Sequence, residues 1–197
     1  MPLPPREYDR SVNPEIERLL YQAQVVRQDA EGVLSGLTDS QFNWTPPDGR
    51  WSMAQCLDHL NVTNGRFLPA LRAAVEKGIA EKRLNDGPYA YGFVSRYLHR
   101  MMGPPPKKRF KAPKRFQPAP RRSLPEALAE WDRTHAEMER LIRSSNGLDL
   151  VRLKVPSPVT KLIQYNLGMA FWIMMAHDRR HICQAREVRN LPAFPAE

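Results

Sequence analysis

Four stretches of this chain repeat their apolar residues at intervals of three and four, and no stretch alternates them at two. That period belongs to helices that each bury one stripe, so an all-α fold is expected. Asn13-Pro14-Glu15 supplies a cap followed by proline at the first helical position. Ile16, Leu19, Leu20, Ala23, Val26, Ala30, Val33 and Leu34 then share one face to about Gly36. Ser52 to Gln55 is a capping box for a second helix reaching about residue 77, with Leu57, Leu60, Phe67 and Leu71 on its stripe and Pro69 set to bend it. A second box, Ser123 to Glu126, opens a third helix that ends near Asn146-Gly147. A fourth runs from about 167 to 189 and stops before Asn190 and Pro192. Single helices of this kind are marginal in water, and the simplest way to cover four apolar stripes is a four-helix bundle forming one domain over residues 1–197. A short amphipathic piece, Phe93 to Met101, falls in the long connection between the second and third helices.

The net charge of +9 is not spread evenly. Between Gly103 and Ser123 a proline-rich crossover carries Lys107, Lys108, Arg109, Lys111, Lys114, Arg115, Arg121 and Arg122 with no acid; nine less these eight leaves +1 for the rest. Phe110 and Phe116 interleave with Lys107, Lys108, Arg109, Lys111, Lys114 and Arg115, which admits a binding module for nucleic acid or another anionic partner. Prolines dominate the segment and no recognised nucleic-acid module surrounds it, so a solvated or bundle-packed crossover is favoured over that reading. No run approaches the roughly 20 apolar residues of a membrane span, and the first residues lack the apolar segment of a secretory signal, so a cytoplasmic protein with no membrane partner is expected. Cys56 and Cys183 fall within apolar helical patterns and read as small core residues.

The chemistry-bearing residues are histidines. His177 and His181 in the fourth helix stand about 40° apart around the axis and about 6 Å along it, on the stripe that must face inward. His59 lies on the inward stripe of the second helix, one to two turns past its cap. Burying imidazoles without partners is costly, whereas a metal ion uses their neutral form. Three nitrogen ligands with vacant positions are the pattern of a catalytic rather than a closed structural site. Zinc or nickel is the expected ion, and imidazole also suits iron and copper. His135 is expected to be a packed, hydrogen-bonded core residue and His99 a surface one.

On Trp51-Ser52 opening the second helix, His59-Leu60 eight residues on, and His177-x-x-x-His181-x-x-Gln184 in the fourth, the chain resembles the DinB-like superfamily. That family includes metal-dependent hydrolases and S-transferases that use bacillithiol or mycothiol. The resemblance implies a bundle in up-down-down-up order and a metal held by His59, His177 and His181. It departs at one position: many members have glutamate four residues before the first histidine, where this chain has Gln55, which still suits a capping box.

An ion on three imidazoles can acidify a bound water or hold a thiol as thiolate. Hydrolysis wants a base aimed at that water, and Asp58 and Asp178 adjoin ligands and so project about 100° away from them. The leading expectation is therefore a metal-dependent thiol S-transferase-like enzyme acting on a small molecule with a low-molecular-weight thiol. The alternatives are a metal-dependent hydrolase, the anionic-partner module, or a helix-packed homodimer without catalysis. Gln55, Thr63, Arg66, Met174 and Gln184 are the candidate pocket-lining residues, although snorkelling to solvent is slightly favoured for Arg66, with Trp51 and Trp172 as core residues that could wall the pocket; no catalytic residue is assigned.

Overall fold

Each long helix begins where its first amides find acceptors, and the structure, a computed structural model, describes residues 12–104, 112–160 and 162–196. Asn13 Oδ1 accepts from the Glu15 amide at 2.8 Å to start α1 (Pro14–Leu34). A reciprocal box between Ser52 and Gln55, at 3.1 and 3.0 Å, starts α3 (Met53–Ala80) after the single turn α2 (Asp39–Phe42). α3 continues through Pro69 as one helix. The expected box at Ser123 does not form. The Leu124 amide donates to Asp39 Oδ1 at 2.8 Å, so the start of α5 (Leu124–Ser144) is capped from α2, and Ser123 makes no side-chain cap. Gly147, at φ +75°, turns the chain after α5.

Among the described residues the protein is predominantly helical, with α4 (Phe93–Met102) in the crossover and α6 (Leu167–Arg189) last. α3 packs on α5 and α6, α1 packs on α6 and α5, and α4 lies on α6. The sequence pattern anticipated no strand, yet β1 (Lys154–Pro156) and β2 (Gln164–Asn166) form an antiparallel hairpin with Val155 opposite Tyr165. Three residues per strand are too few for a period of two to be read. α4 turns Phe93, Val94 and Tyr97 to the outside, and His99, expected at the surface, is half-buried with its ring edge-on to Trp172 at 5.8 Å. No helix is long and apolar enough to cross a membrane.

The apolar interior falls into two clusters. One gathers Ile16, Leu19, Leu71, Met138, Leu141, Phe171 and their neighbours; the other gathers Val26, Val33, Met53, Leu57, Trp131 and Ile182. Along α3, α5 and α6 the change from one cluster to the other coincides with buried polar residues: His59, Asn61, Thr63 and Asn64, then Thr134 and His135, then Asp178 and His181. The site lies in this polar layer.

Candidate metal centre

His59 enters the layer from α3, and His177 and His181 from α6. One ligand-capable atom from each lies within 4.8 Å of the others, and Nε2 of His59 is 3.3 Å from Nε2 of His177. Ring centroids are 4.6 to 5.1 Å apart. The Nδ1–H of His59 donates to the Phe116 carbonyl at 2.6 Å, which fixes the tautomer and leaves Nε2 as a lone-pair donor toward the other two rings. Trp51 forms a wall, its ring 5.0 Å from that of His59 and stacked at 5.8 Å on that of His181.

Burial drives the electrostatics of the three rings. It pushes His59 below the ordinary histidine range, against the opposing pull of the Phe116 hydrogen bond. It lowers His177 to about 3, aided by His59 and Arg180, and His181 well below its ordinary value, aided by His177 and His59. All three imidazoles are thus neutral at physiological pH, the form that ligates metal. A tetrahedral ion with metal–nitrogen bonds of about 2.0–2.1 Å separates its ligand nitrogens by about 3.3 Å, which is the His59–His177 spacing. The donor set fits a divalent ion, with His59, His177 and His181 as the residues to hold it.

The histidines sit on the wall of a cavity of about 730 Å³, within the range that accommodates small-molecule ligands. Phe67, Met102, Phe116, Val159, Tyr165, Ile173 and Met174 make it mainly apolar; Thr63 and Gln184 are polar neighbours of the rings; Arg50, Arg180 and Glu187 bring charge. Cys56 is on the same wall, and burial pushes its thiol up to about 12, so it is a protonated wall residue and not a nucleophile.

A model of the DinB superfamily matches residues 22–185. The chain belongs to the DinB superfamily. No curated protein and no solved structure matches it. Within this DinB-superfamily chain the residues singled out from sequence divide clearly. Thr63, Met174 and Gln184 line the cavity with the three histidines. Gln55 and Arg66, the other two candidates, do not: Gln55 is used by the helix cap its spacing suits, and Arg66 is exposed, as snorkelling requires, with its guanidinium 5.6 Å from the centre of the Phe116 ring. Trp172 is directed elsewhere, its indole N–H donating to Glu15 at 2.7 Å. His135 is fully buried, with Nε2 3.3 Å from Oδ2 of Asp178.

Of the basic crossover, Lys107, Lys108, Arg109, Phe110 and Lys111 lie outside the described residues. Lys114 and Arg115 are exposed on a 3₁₀ turn. Arg115 donates to the Val159 carbonyl, and Phe116 is 2% exposed, so its ring packs inside instead of offering a stacking platform for a base. Arg122 pairs with Asp58 and Glu130.

Sequence reasoning missed Glu187, whose only signal was its place three residues beyond Gln184, itself three beyond His181. It also missed Phe116, Val159 and Tyr165, which reach the cavity from connections whose paths no local pattern specifies.

Proposed function

We propose that this DinB-superfamily protein is a metal-dependent S-transferase that joins a low-molecular-weight thiol to a small electrophile with an apolar body. The observation that carries the reading is the convergence of three neutral imidazoles on an apolar cavity while the two adjacent carboxylates are engaged elsewhere. Asp58 accepts from the Ala119 amide and Arg122, and Asp178 meets His135. Zinc or nickel suits three nitrogen ligands with open positions. When bound, such an ion supplies a sulfur nucleophile at neutral pH by stabilising the thiolate.

The protein's own groups do the rest. His59 presents Nε2 because Phe116 holds Nδ1–H. Trp51 packs on two of the rings and keeps solvent from that side. Phe67, Tyr165, Ile173 and Met174 hold the apolar body of the electrophile, and Arg50 and Arg180 bring positive charge to the cavity, suited to a carboxylate of the thiol or substrate. The pairwise packing of the long helices fits a single bundle domain in up-down-down-up order.

A hydrolase is the second reading, favoured by Glu187, an exposed carboxylate on the cavity wall that could accept a proton from water. The test uses protein purified without an affinity tag and loaded with cobalt(II), titrated with N-acetylcysteine. A sulfur-to-metal charge-transfer absorption that saturates at one equivalent is expected. Stoichiometric metal with no such absorption sinks the transferase reading in favour of hydrolysis, and protein that takes up no metal sinks both.

A further inference from the structure

Asp58 is 1% exposed and immediately precedes His59 on α3. A carboxylate taken out of water at that depth costs several kcal/mol unless it is paired and hydrogen-bonded. Among the described residues its hydrogen-bond partners come from the end of the basic crossover: the Ala119 amide at 2.7 Å and Nη1 of Arg122 at 2.8 Å. Arg122 is held by three further contacts, to two residues. Nη2 reaches Glu130 at 2.9 Å, its amide donates to Asn43 Oδ1 at 2.9 Å, and its carbonyl accepts from Asn43 Nδ2 at 2.7 Å.

Three residues before Ala119, the same segment delivers Phe116. Its ring is buried between the guanidinium groups of Arg66 and Arg115, at 5.6 and 5.4 Å from its centre, and its carbonyl takes the Nδ1–H of His59. Two consecutive residues of α3 therefore grip one strap at two points, His59 at Phe116 and Asp58 at Ala119 and Arg122. The gap between grips is too short to slacken independently. With the strap seated, the carbonyl that selects the His59 tautomer cannot move away; with Asp58 unable to hold Arg122, that carbonyl loses its anchor and the ring loses its fixed donor nitrogen.

We infer that Asp58 is a positioning residue of the metal centre, acting through residues 116–122 of the crossover to fix the tautomer and orientation of His59. The effect on metal affinity rests on the metal-dependent reading above; the effect on the tautomer does not. A buried, paired carboxylate also contributes to stability, so the experiment separates the two roles.

Asp58→Asn and Arg122→Gln are compared with Glu137→Gln, which breaks an ion pair with Arg72 and Arg140 on the outer surface of α3 and α5. In metal-free protein labelled with ¹⁵N-histidine, the ring shifts of His59 are expected to report a single Nδ1–H tautomer in the wild type and in Glu137→Gln. Exchange between tautomers is expected in Asp58→Asn and Arg122→Gln. Zinc affinity is expected to fall roughly 10–100-fold in the two strap variants, the usual effect of losing an outer partner of a metal-binding histidine, and to stay unchanged in Glu137→Gln. A fixed His59 tautomer in a folded Asp58→Asn or Arg122→Gln protein overturns the inference, as does zinc affinity equal to wild type in both. Should Asp58→Asn fail to fold, Arg122, whose side chain is 27% exposed, provides the deciding variant. Wild-type protein that binds no zinc overturns the metal reading alone, because the tautomer measurement on metal-free protein still decides the strap.

Discussion

One turn of α6 carries two buried polar sites that resolve their burial in opposite ways. His177 and His181 face His59, and the nearest nitrogens across the gap, at 3.3 Å, belong to two neutral rings; Nδ1 of His177 and of His181 has no hydrogen-bond partner among the described residues. Asp178, between them in sequence, faces the other way and meets His135 at 3.3 Å with both side chains fully buried. Burial raises the Asp178 carboxyl above the usual carboxylate range, with His135 and Asn64 acting against it. The pair is complementary, a donor nitrogen against an acceptor oxygen, although Nδ1 of His135 and Oδ1 of Asp178 also have no hydrogen-bond partner among the described residues. The triad gathers three like groups, neutral imidazoles placed so that together they can hold a cation. A cluster of convergent like ligands points to a binding centre, whereas a complementary pair of similar burial points to structure.

The sharpest way to break this contrast is to remove one member of each site. Replacing His177 by alanine deletes a ligand, and zinc affinity should fall by more than the roughly 100-fold upper range for losing an outer partner, while the metal-free protein keeps its denaturation midpoint or gains slightly. Elemental analysis and urea titration read the two halves. Retained stoichiometric metal in that variant would abolish the distinction between the sites.

The complementary change, Asp178→Ala or His135→Ala, should do the reverse. Leaving one member of a buried pair alone destabilises by about 3–5 kcal/mol, while replacing both by apolar residues is close to neutral or stabilising. Denaturant midpoints of the two single variants and of His135→Leu/Asp178→Leu test this. If the double variant is no more stable than the singles, the two residues are not the coupled pair described.

The smallest effect comes from an exposed ion pair, which calibrates what burial contributes. Glu137 is held by Arg140 and Arg72 at 2.8 and 3.0 Å, chiefly through the Arg140 hydrogen bond, and these partners depress its pKa below the ordinary value of 4.5. Because the folded pKa is the lower one, the contribution is fully present above the unfolded value and is lost as pH falls through the folded one. Glu137→Gln should lower stability by at most about 1 kcal/mol at pH 7, with the difference shrinking in strong acid and in high salt. A loss that persists in acid would place its origin in packing and not in charge.

Much of the frame was legible because it is local. Apolar recurrence at three and four marked α1, α3, α5 and α6, and the caps at Asn13 and Ser52 are contacts within three residues, which a sequence displays directly. The three histidines were legible for the same reason: a stripe that must be buried carries its polar members inward with it. Where the cap required a partner from elsewhere, as at Ser123, local reading failed, and helical phase alone left Arg66 open between the cavity and solvent, where the structure places it exposed beside a ring from the crossover.

The sequence by itself thus determined the helices, the face each one buries and the identity of the residues that converge. The tertiary structure decided what completes them. His59 acquires its tautomer from a carbonyl 57 positions away and Asp58 its partner from an arginine 64 positions away, while Glu187 and Tyr165 come to share one cavity. Periodicity is set by the few residues of a helical turn, but the docking of a connection onto a helix depends on which of many chain paths closes with its buried polar groups satisfied, and no local pattern encodes that choice.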